Sequence, residues 1–118
     1  MINFYWYPKC STCRKAKSTL EKIGVEYTSV DLKETPPTAE QFKNWFAQND
    51  FEIKNYFNTS GISYRESGLK DRINDLTIEE ASQLLASDGM LVKRPLLVKD
   101  DKVLQIGFKH NYTKTMFD

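Results

Sequence analysis

Both cysteines of the chain lie in the segment Tyr7-Pro8-Lys9-Cys10-Ser11-Thr12-Cys13-Arg14-Lys15-Ala16, separated by two residues. An aromatic, strand-like run precedes this segment and a helix-like run follows it. At a helix start, unpaired N–H groups and the positive end of the helix dipole favour a thiolate, which is the nucleophilic form of cysteine. A Cys-x-x-Cys pair at a strand-to-helix turn therefore predicts thiol chemistry. Cys13 would lie about one turn into the helix, close enough to form a disulfide with Cys10.

The residues around the cysteines predict a βαβ unit. Residues 2–7 are mostly strand-favouring and apolar on both faces, which is typical of a central strand. The helix that follows has apolar positions spaced for a single face, at Cys13, Ala16, Leu20 and Ile23. Gly24 stands where a C-terminal cap belongs, and residues 25–32 form a second strand. Strand, helix and strand in some thirty residues predict that the two strands are parallel.

Residues 38–88 predict an all-helical insertion. Two capping boxes, Thr38 with Gln41 and Thr77 with Glu80, each open a helix with an apolar face. Shorter helices are expected at 52–57 and 64–70.

The end of the chain predicts an antiparallel hairpin. Two short apolar runs, 96–98 and 103–106, flank a polar turn at 99–101. A short final helix is expected at 109–117.

Length and composition indicate an ordinary globular protein. The 118 residues are enough for one domain, 1–118, with a net charge of +1 that supports neither nucleic acid nor a membrane surface as partner. No apolar run approaches the roughly 20 residues that span a bilayer, and we recognise no signal peptide at the N-terminus. Two cysteines this close cannot connect distant parts of a secreted fold, so we expect a reducing, cytoplasmic setting and a redox-active pair.

Three segments resemble the ArsC/Spx family, in that family's order and over essentially the whole chain. They are residues 7–16, the run Ser63-Tyr64-Arg65-Glu66-Ser67-Gly68-Leu69, and Lys93-Arg94-Pro95-Leu96-Leu97-Val98 followed by Gln105-Ile106-Gly107-Phe108. The chain looks most like the small, uncharacterised ArsC-like proteins, which are similar to arsenate reductases. This resemblance implies an α/β, thioredoxin-like fold with a mixed four-stranded sheet and a helical insertion. It also implies that Pro95 is a structural cis-proline facing the active cysteine.

The resemblance to the arsenate reductases is incomplete at the site. In those enzymes a cysteine attacks arsenate and three arginines hold the oxyanion. Cys10 matches that cysteine and Arg94 matches one arginine, whereas the other two fall at about Asn58 and at Ile106 or Gly107. Because neither asparagine nor glycine replaces the forked, charged donors of arginine, the resemblance implies an incomplete oxyanion clamp. The reductases also usually have serine at the position of the second cysteine.

The resemblance implies two functions, and it leaves open a third alternative in which the chain keeps the fold and has lost both activities. In the first, Cys10 attacks a disulfide, a glutathione adduct or an arsenate-like oxyanion, Cys13 displaces the product, and Arg94 binds the anionic substrate. Thioredoxin or glutathione with glutaredoxin restores the dithiol, and no cofactor is bound. In the second, the chain is an Spx-like regulator whose Cys10–Cys13 pair switches binding to the RNA polymerase alpha subunit. We expect a monomer in both cases.

Several site residues also have ordinary structural explanations. Cys13 lies on an apolar helix face and is also explained as a buried core residue, and Arg94 as a solvated charge beside Lys93. The run Asn58-Thr59-Ser60-Gly61 is either an anion-binding turn of backbone N–H groups or, more commonly, a plain surface loop.

The remaining candidates are the cations beside Cys10 and the residues that could bind a metal. Lys9 and Arg14 flank Cys10 and are either surface charges or the cations that lower its pKa. A zinc site needs about four ligands, and the only other soft ligand is His110, far along the chain, so we expect no metal.

Overall fold

The computed structural model describes all residues from 1 to 118 and divides into two compact units. The sheet unit comprises residues 1–31 and 94–118, and the helical unit comprises residues 32–93. The organisation as one domain, with 38–88 as an insertion, stays a prediction. No helix in the chain combines the length and the apolar character that a membrane-crossing segment requires.

The sheet unit contains one mixed four-stranded sheet with the strand order β2-β1-β3-β4. Its strands are β1 (Ile2–Trp6), β2 (Thr28–Asp31), β3 (Leu96–Lys99) and β4 (Lys102–Ile106). β1 pairs in parallel with β2 and antiparallel with β3, and β3 pairs antiparallel with β4. The predicted βαβ unit, central first strand and C-terminal hairpin are therefore confirmed. Together with the helix described next, this α/β arrangement is the thioredoxin-like fold.

The second strand is shorter than the predicted 25–32. The parallel register pairs residues 28–31 with residues 3–6 of β1, from Thr28 beside Asn3 to Asp31 beside Trp6. Val25 and Tyr27 nevertheless pack against the core, which explains their apolar character.

Helix α1 (Ser11–Ile23) begins directly after Cys10 and ends at Gly24. Gly24 has a φ of 83°, a left-handed conformation that glycine adopts without steric cost, and its N–H donates to Leu20 O at 3.1 Å. The buried face of α1 contributes Ala16 and Leu20 to a core that also holds residues of β1, β3 and the C-terminal segment. This core consists of Ile2, Phe4, Ala16, Leu20, Leu97 and Tyr112.

The helical unit contains α2 (Ala39–Ala47), α3 (Ile62–Ser67) and α4 (Ile78–Ser87). Both predicted capping boxes are present, at Thr38 and at Thr77. α2 and α4 pack together, and the Lys43 ammonium lies 2.6 Å from the Glu79 carboxylate.

Short helices are present in all three irregular stretches where they were expected, mostly as 3₁₀ turns and with different bounds. The helix expected at 52–57 is a 3₁₀ turn at Ile53–Tyr56, and the one expected at 109–117 is a 3₁₀ turn at Lys114–Phe117. The helix expected at 64–70 ends earlier because Gly68 takes a φ of 72°, which closes α3 before a further 3₁₀ turn at Leu69–Asp71.

Candidate active site

Cys10 occupies the N-cap of α1, where serine, threonine or aspartate is more usual. Its backbone is extended (φ −91°, ψ 117°), and its sulfur accepts the Cys13 backbone N–H at 3.4 Å. The preceding turn is closed by the Cys10 N–H, which donates to Tyr7 O at 3.0 Å. The carbonyl of Cys10 accepts the Arg14 N–H at 3.1 Å and so begins the helical ladder. The Cys10 sulfur therefore lies among the unpaired N–H groups of the first helical turn, as the sequence predicts.

The surroundings of Cys10 favour its thiolate. Partial burial raises the pKa of this half-buried thiol, but hydrogen bonds from the Cys13 side chain and backbone N–H lower it. The positive charge of Arg94 and a hydrogen bond from its side chain lower it further. The net result is a Cys10 pKa below the ordinary value of 9.0. The arrangement thus favours the charged form of a partly accessible thiol, which is the form that acts as a nucleophile.

Cys13 has the opposite environment. Its side chain has no exposed surface, and burial raises the pKa of this thiol to about 12. A hydrogen bond from the Tyr7 backbone N–H opposes that rise, whereas the neighbouring Cys10 sulfur adds to it. Both residues are free thiols in this structure. Within the pair, the proton therefore resides on Cys13 and the charge on Cys10.

Arg94 is placed by the beginning of β3. The Arg94–Pro95 peptide bond is cis, and Pro95 O accepts the Gly107 N–H at 2.8 Å, which ties this bend to the end of β4. The guanidinium lies over the Tyr7 ring, with Cζ 5.4 Å from the ring centroid. Arg94 therefore contacts an aromatic ring and the Cys10 sulfur. These contacts distinguish it from a charge that is merely solvated.

Lys9 and Arg14, which the sequence offers as cations that lower the Cys10 pKa, are not among the main groups that do so, and their contribution stays a prediction. The Arg14 guanidinium turns away and donates to Pro8 O at 2.9 Å, and both residues are exposed. The cation that lowers the Cys10 pKa is Arg94, which is distant in the sequence.

Tyr7 contacts the candidate site, although the sequence indicated for it only a strand position and membership of the 7–16 segment. Its carbonyl, its N–H and its ring contact Cys10, Cys13 and Arg94 respectively. An aromatic residue directly after β1 and three positions before Cys10 was the only available signal.

The run 58–61 lies in the helical unit and does not present a free nest of N–H groups. The N–H groups of Asn58, Thr59 and Gly61 each donate to a backbone carbonyl, at 2.7, 3.1 and 3.1 Å. This pattern favours the surface-loop explanation over an anion-binding turn. His110 is exposed, and no group of three or more His, Cys, Asp or Glu side chains lies close enough together to hold a metal ion.

Comparison with known proteins gives a consistent relationship along the chain. The sequence profile described as the ArsC family matches residues 5–116. The uncharacterized protein YusI of Bacillus subtilis is 46% identical over 110 residues, covering 93% of this chain and 92% of YusI. The regulatory protein MgsR of the same organism is 32% identical, covering 91% of this chain and 82% of MgsR, and global transcriptional regulators named Spx are further relatives.

A solved structure extends this relationship to three dimensions. The crystal structure of a possible arsenate reductase from Streptococcus mutans superposes with a TM-score of 0.92 and 53% identity. It covers 95% of this chain and 94% of its own.

Proposed function

Because the chain belongs to the ArsC family, we propose that it is a thiol-dependent oxidoreductase with Cys10 as nucleophile and Cys13 as resolving thiol. The observation that carries the proposal is the unequal pair of sulfurs at the start of α1. Cys10 is half-buried and has a lowered pKa, whereas Cys13 is fully buried and has a raised pKa. The exposed partner is thus the one prepared to attack an incoming substrate, and the buried partner reacts only with what Cys10 has already bound.

The proposed reaction has two exchanges. The Cys10 thiolate attacks one sulfur of a substrate disulfide, forms a mixed disulfide and releases the other sulfur as a thiolate. Cys13 then bonds to the Cys10 sulfur, gives up its proton and expels the remaining half of the substrate as a thiol. The substrate gains two electrons and the protein becomes the Cys10–Cys13 disulfide. Thioredoxin or glutathione with glutaredoxin returns two electrons and restores the dithiol.

Arg94 narrows the substrate class to anionic disulfides. Its guanidinium lies against Cys10 and offers forked donors that suit one carboxylate or oxyanion. The family's remaining two arginine positions fall at about Asn58 and at Ile106 or Gly107, which are uncharged. A tetrahedral arsenate held by one arginine is a poorer fit than the carboxylates of a glutathione mixed disulfide. We therefore propose glutathione adducts as substrates, and a monomer acting in the reducing cytoplasm.

The test is turnover of a glutathionylated peptide by the purified protein, with thioredoxin or glutathione as reductant and arsenate as an alternative substrate. We expect deglutathionylation that Cys10→Ser abolishes, and little arsenate reduction. Cys13→Ser is the matched control, because it retains the nucleophile and should accumulate a mixed disulfide detectable by mass spectrometry. Equal turnover by wild-type protein and Cys10→Ser ends the proposed mechanism.

The relatives that are named regulators favour one second candidate, an Spx-like redox switch. In that role the same Cys10–Cys13 pair would change the chain's affinity for the RNA polymerase alpha subunit. A pull-down with the C-terminal domain of that subunit, under reducing and oxidising conditions, distinguishes the two candidates. Binding in one redox state only supports the regulator, and no binding in either state removes it.

A further inference from the structure

The helical unit contains a cavity of about 600 Å³ that is bordered by three cations from three different elements. Lys54 lies in the 3₁₀ turn before α3, Arg65 in α3 itself, and Lys70 in the 3₁₀ turn that follows α3. No carboxylate lines this cavity, and none of the residues of the candidate active site belongs to it. We call it the cationic cavity.

The positive charge of this cavity contrasts with the charge of the unit that contains it. Residues 32–93 hold seven Lys and Arg side chains against ten Asp and Glu, a net charge of −3. Three of those seven cations nevertheless border one cavity, and none of the three forms an ion pair, whereas Lys43 pairs with Glu79. Because like charges around one cavity repel each other, an anion bound among them would be stabilised.

The remaining lining residues suit the uncharged part of a ligand. Tyr64 and Ile73 are buried and form the largely apolar base of the cavity, whereas the three cations are exposed at its rim. The Thr59 hydroxyl and the Asn74 amide add groups that both donate and accept hydrogen bonds. A concave site of about 300–1,000 Å³ with an apolar base and a few polar groups is typical of small-molecule binding.

Phosphate is the anion that these cations suit best. A guanidinium binds phosphate oxygens through two parallel N–H···O bonds, and a lysine ammonium binds them as a point charge. One phosphomonoester carries a charge of about −1.5 to −2 at pH 7, so three cations match two linked phosphates better than one. Protein sites hold phosphate-bound Mg²⁺ partly through carboxylates, which this cavity lacks, so the diphosphate would contact the cations without a metal ion.

We propose that the cationic cavity binds a nucleoside diphosphate. The two phosphates lie among the three cations, and the nucleoside lies against Tyr64 and Ile73. Thr59 and Asn74 hydrogen-bond the ribose or the base. A stable interface with an acidic protein would bury about 800 Å² of this chain, which is more than one cavity of this size offers. This binding is independent of the cysteine chemistry proposed above.

The test is a titration of the ¹⁵N-labelled full-length chain with ADP in the presence of EDTA, followed by the amide NMR shifts. We expect saturable one-to-one binding, with the largest shifts among residues 54–74. Lys70→Gln should weaken ADP binding by about fivefold or more, as expected for the loss of one charged hydrogen bond at an exposed site. Arg72→Gln is the matched control, because it removes the same charge two positions along from a side chain that does not line the cavity. The spectra of both variants also report whether the fold is retained.

Further probes separate the parts of the ligand. Adenosine lacks the phosphates and methyl diphosphate lacks the nucleoside, so each should bind more weakly than ADP. Absence of saturable ADP binding at millimolar concentration overturns the proposal. Equal losses in Lys70→Gln and Arg72→Gln also overturn it, since they indicate a general attraction to positive charge. Tighter binding of a hexaglutamate peptide than of ADP overturns it as well, and identifies the cavity as a docking site for an acidic protein segment.

Discussion

Cys10 and Cys13 lie about one helical turn apart, yet their surroundings shift the pKa of a thiol in opposite directions. Around Cys10, at the start of α1, hydrogen bonds from Cys13 and the Arg94 guanidinium outweigh partial burial and lower the Cys10 pKa. Around Cys13, on the buried face of α1, burial is the largest effect and raises the Cys13 pKa to about 12. The difference shows that the helix start alone does not make a reactive cysteine. What decides is whether polar donors or apolar side chains occupy the remaining space around the sulfur.

This asymmetry gives the exchange its direction. In the proposed reaction, a substrate from solvent would meet the Cys10 thiolate, and only the adduct formed there would come within reach of Cys13. If both cysteines were exposed, either sulfur would attack and the adduct would have no defined resolving partner.

The largest expected effect is the inertness of Cys13 when it is the only thiol. In Cys10→Ser, burial, which is the largest cause of the raised Cys13 pKa, still disfavours the thiolate of Cys13 and also excludes the reagent. We expect iodoacetamide to modify Cys13 at least about a thousandfold more slowly than it modifies Cys10 in Cys13→Ser. Denaturant should equalise the two rates. Comparable rates in the folded proteins would contradict the sealed interior.

The second prediction concerns stability at alkaline pH, in the Cys10→Ser background so that Cys13 titrates alone. The Cys13 pKa is raised above its ordinary value of 9.0 to about 12, so folding favours the protonated thiol. This contribution is fully present below pH 9 and is lost as pH rises toward 12. Between pH 8 and 11 the single-cysteine protein should lose on the order of 1–2 kcal/mol more unfolding free energy than Cys10→Ser/Cys13→Ala, because burial still raises the Cys13 pKa in this background whereas the contributions of Cys10 are absent. Chemical denaturation at both pH values measures the difference, and parallel curves would contradict it.

The third prediction concerns the cation beside Cys10. Arg94→Ala should raise the Cys10 pKa, because the positive charge and one hydrogen bond to the thiolate are lost. At pH 6.5, where the thiolate fraction limits the rate, alkylation of Cys10 should slow by about fivefold and recover as the pH rises. Arg14→Ala is the matched control, since the Arg14 guanidinium bonds Pro8 O and is not among the groups that lower the Cys10 pKa. An equal effect of the two substitutions would show that general positive charge, and not Arg94, stabilises the thiolate.

Local sequence signals were sufficient for much of this fold. The alternation around β1, the apolar spacing of α1 and the Thr38 and Thr77 capping boxes each act within a few residues, so a pattern predicts them. The position of Cys10 at the helix start is predictable for the same reason.

The failures involve contacts between residues distant in sequence. Arg14, four positions from Cys10, was a plausible cation, but Arg94 is brought to the sulfur by the pairing of β3 with β1. The burial of Tyr112 against α1 depends on the path of the chain after β4, for which no local pattern exists. The shortened β2 likewise follows from its register with β1 and not from its own composition.

The smallest expected effect concerns the Tyr7 ring, which positions Arg94 beside Cys10. The Tyr7 ring lies 5.4 Å from the guanidinium carbon, so Tyr7→Leu removes an interaction of about 0.5–1 kcal/mol between a cation and an aromatic face. The backbone bonds of residue 7 to both cysteines remain in that variant. We expect the alkylation rate of Cys10 at pH 6.5 to fall about two- to fourfold, and Tyr7→Phe, which keeps the ring, to restore it. Because the Tyr7 substitutions act only through Arg94, they should have no effect in an Arg94→Ala background, and an undiminished effect there would show that the ring acts on the sulfur by another route.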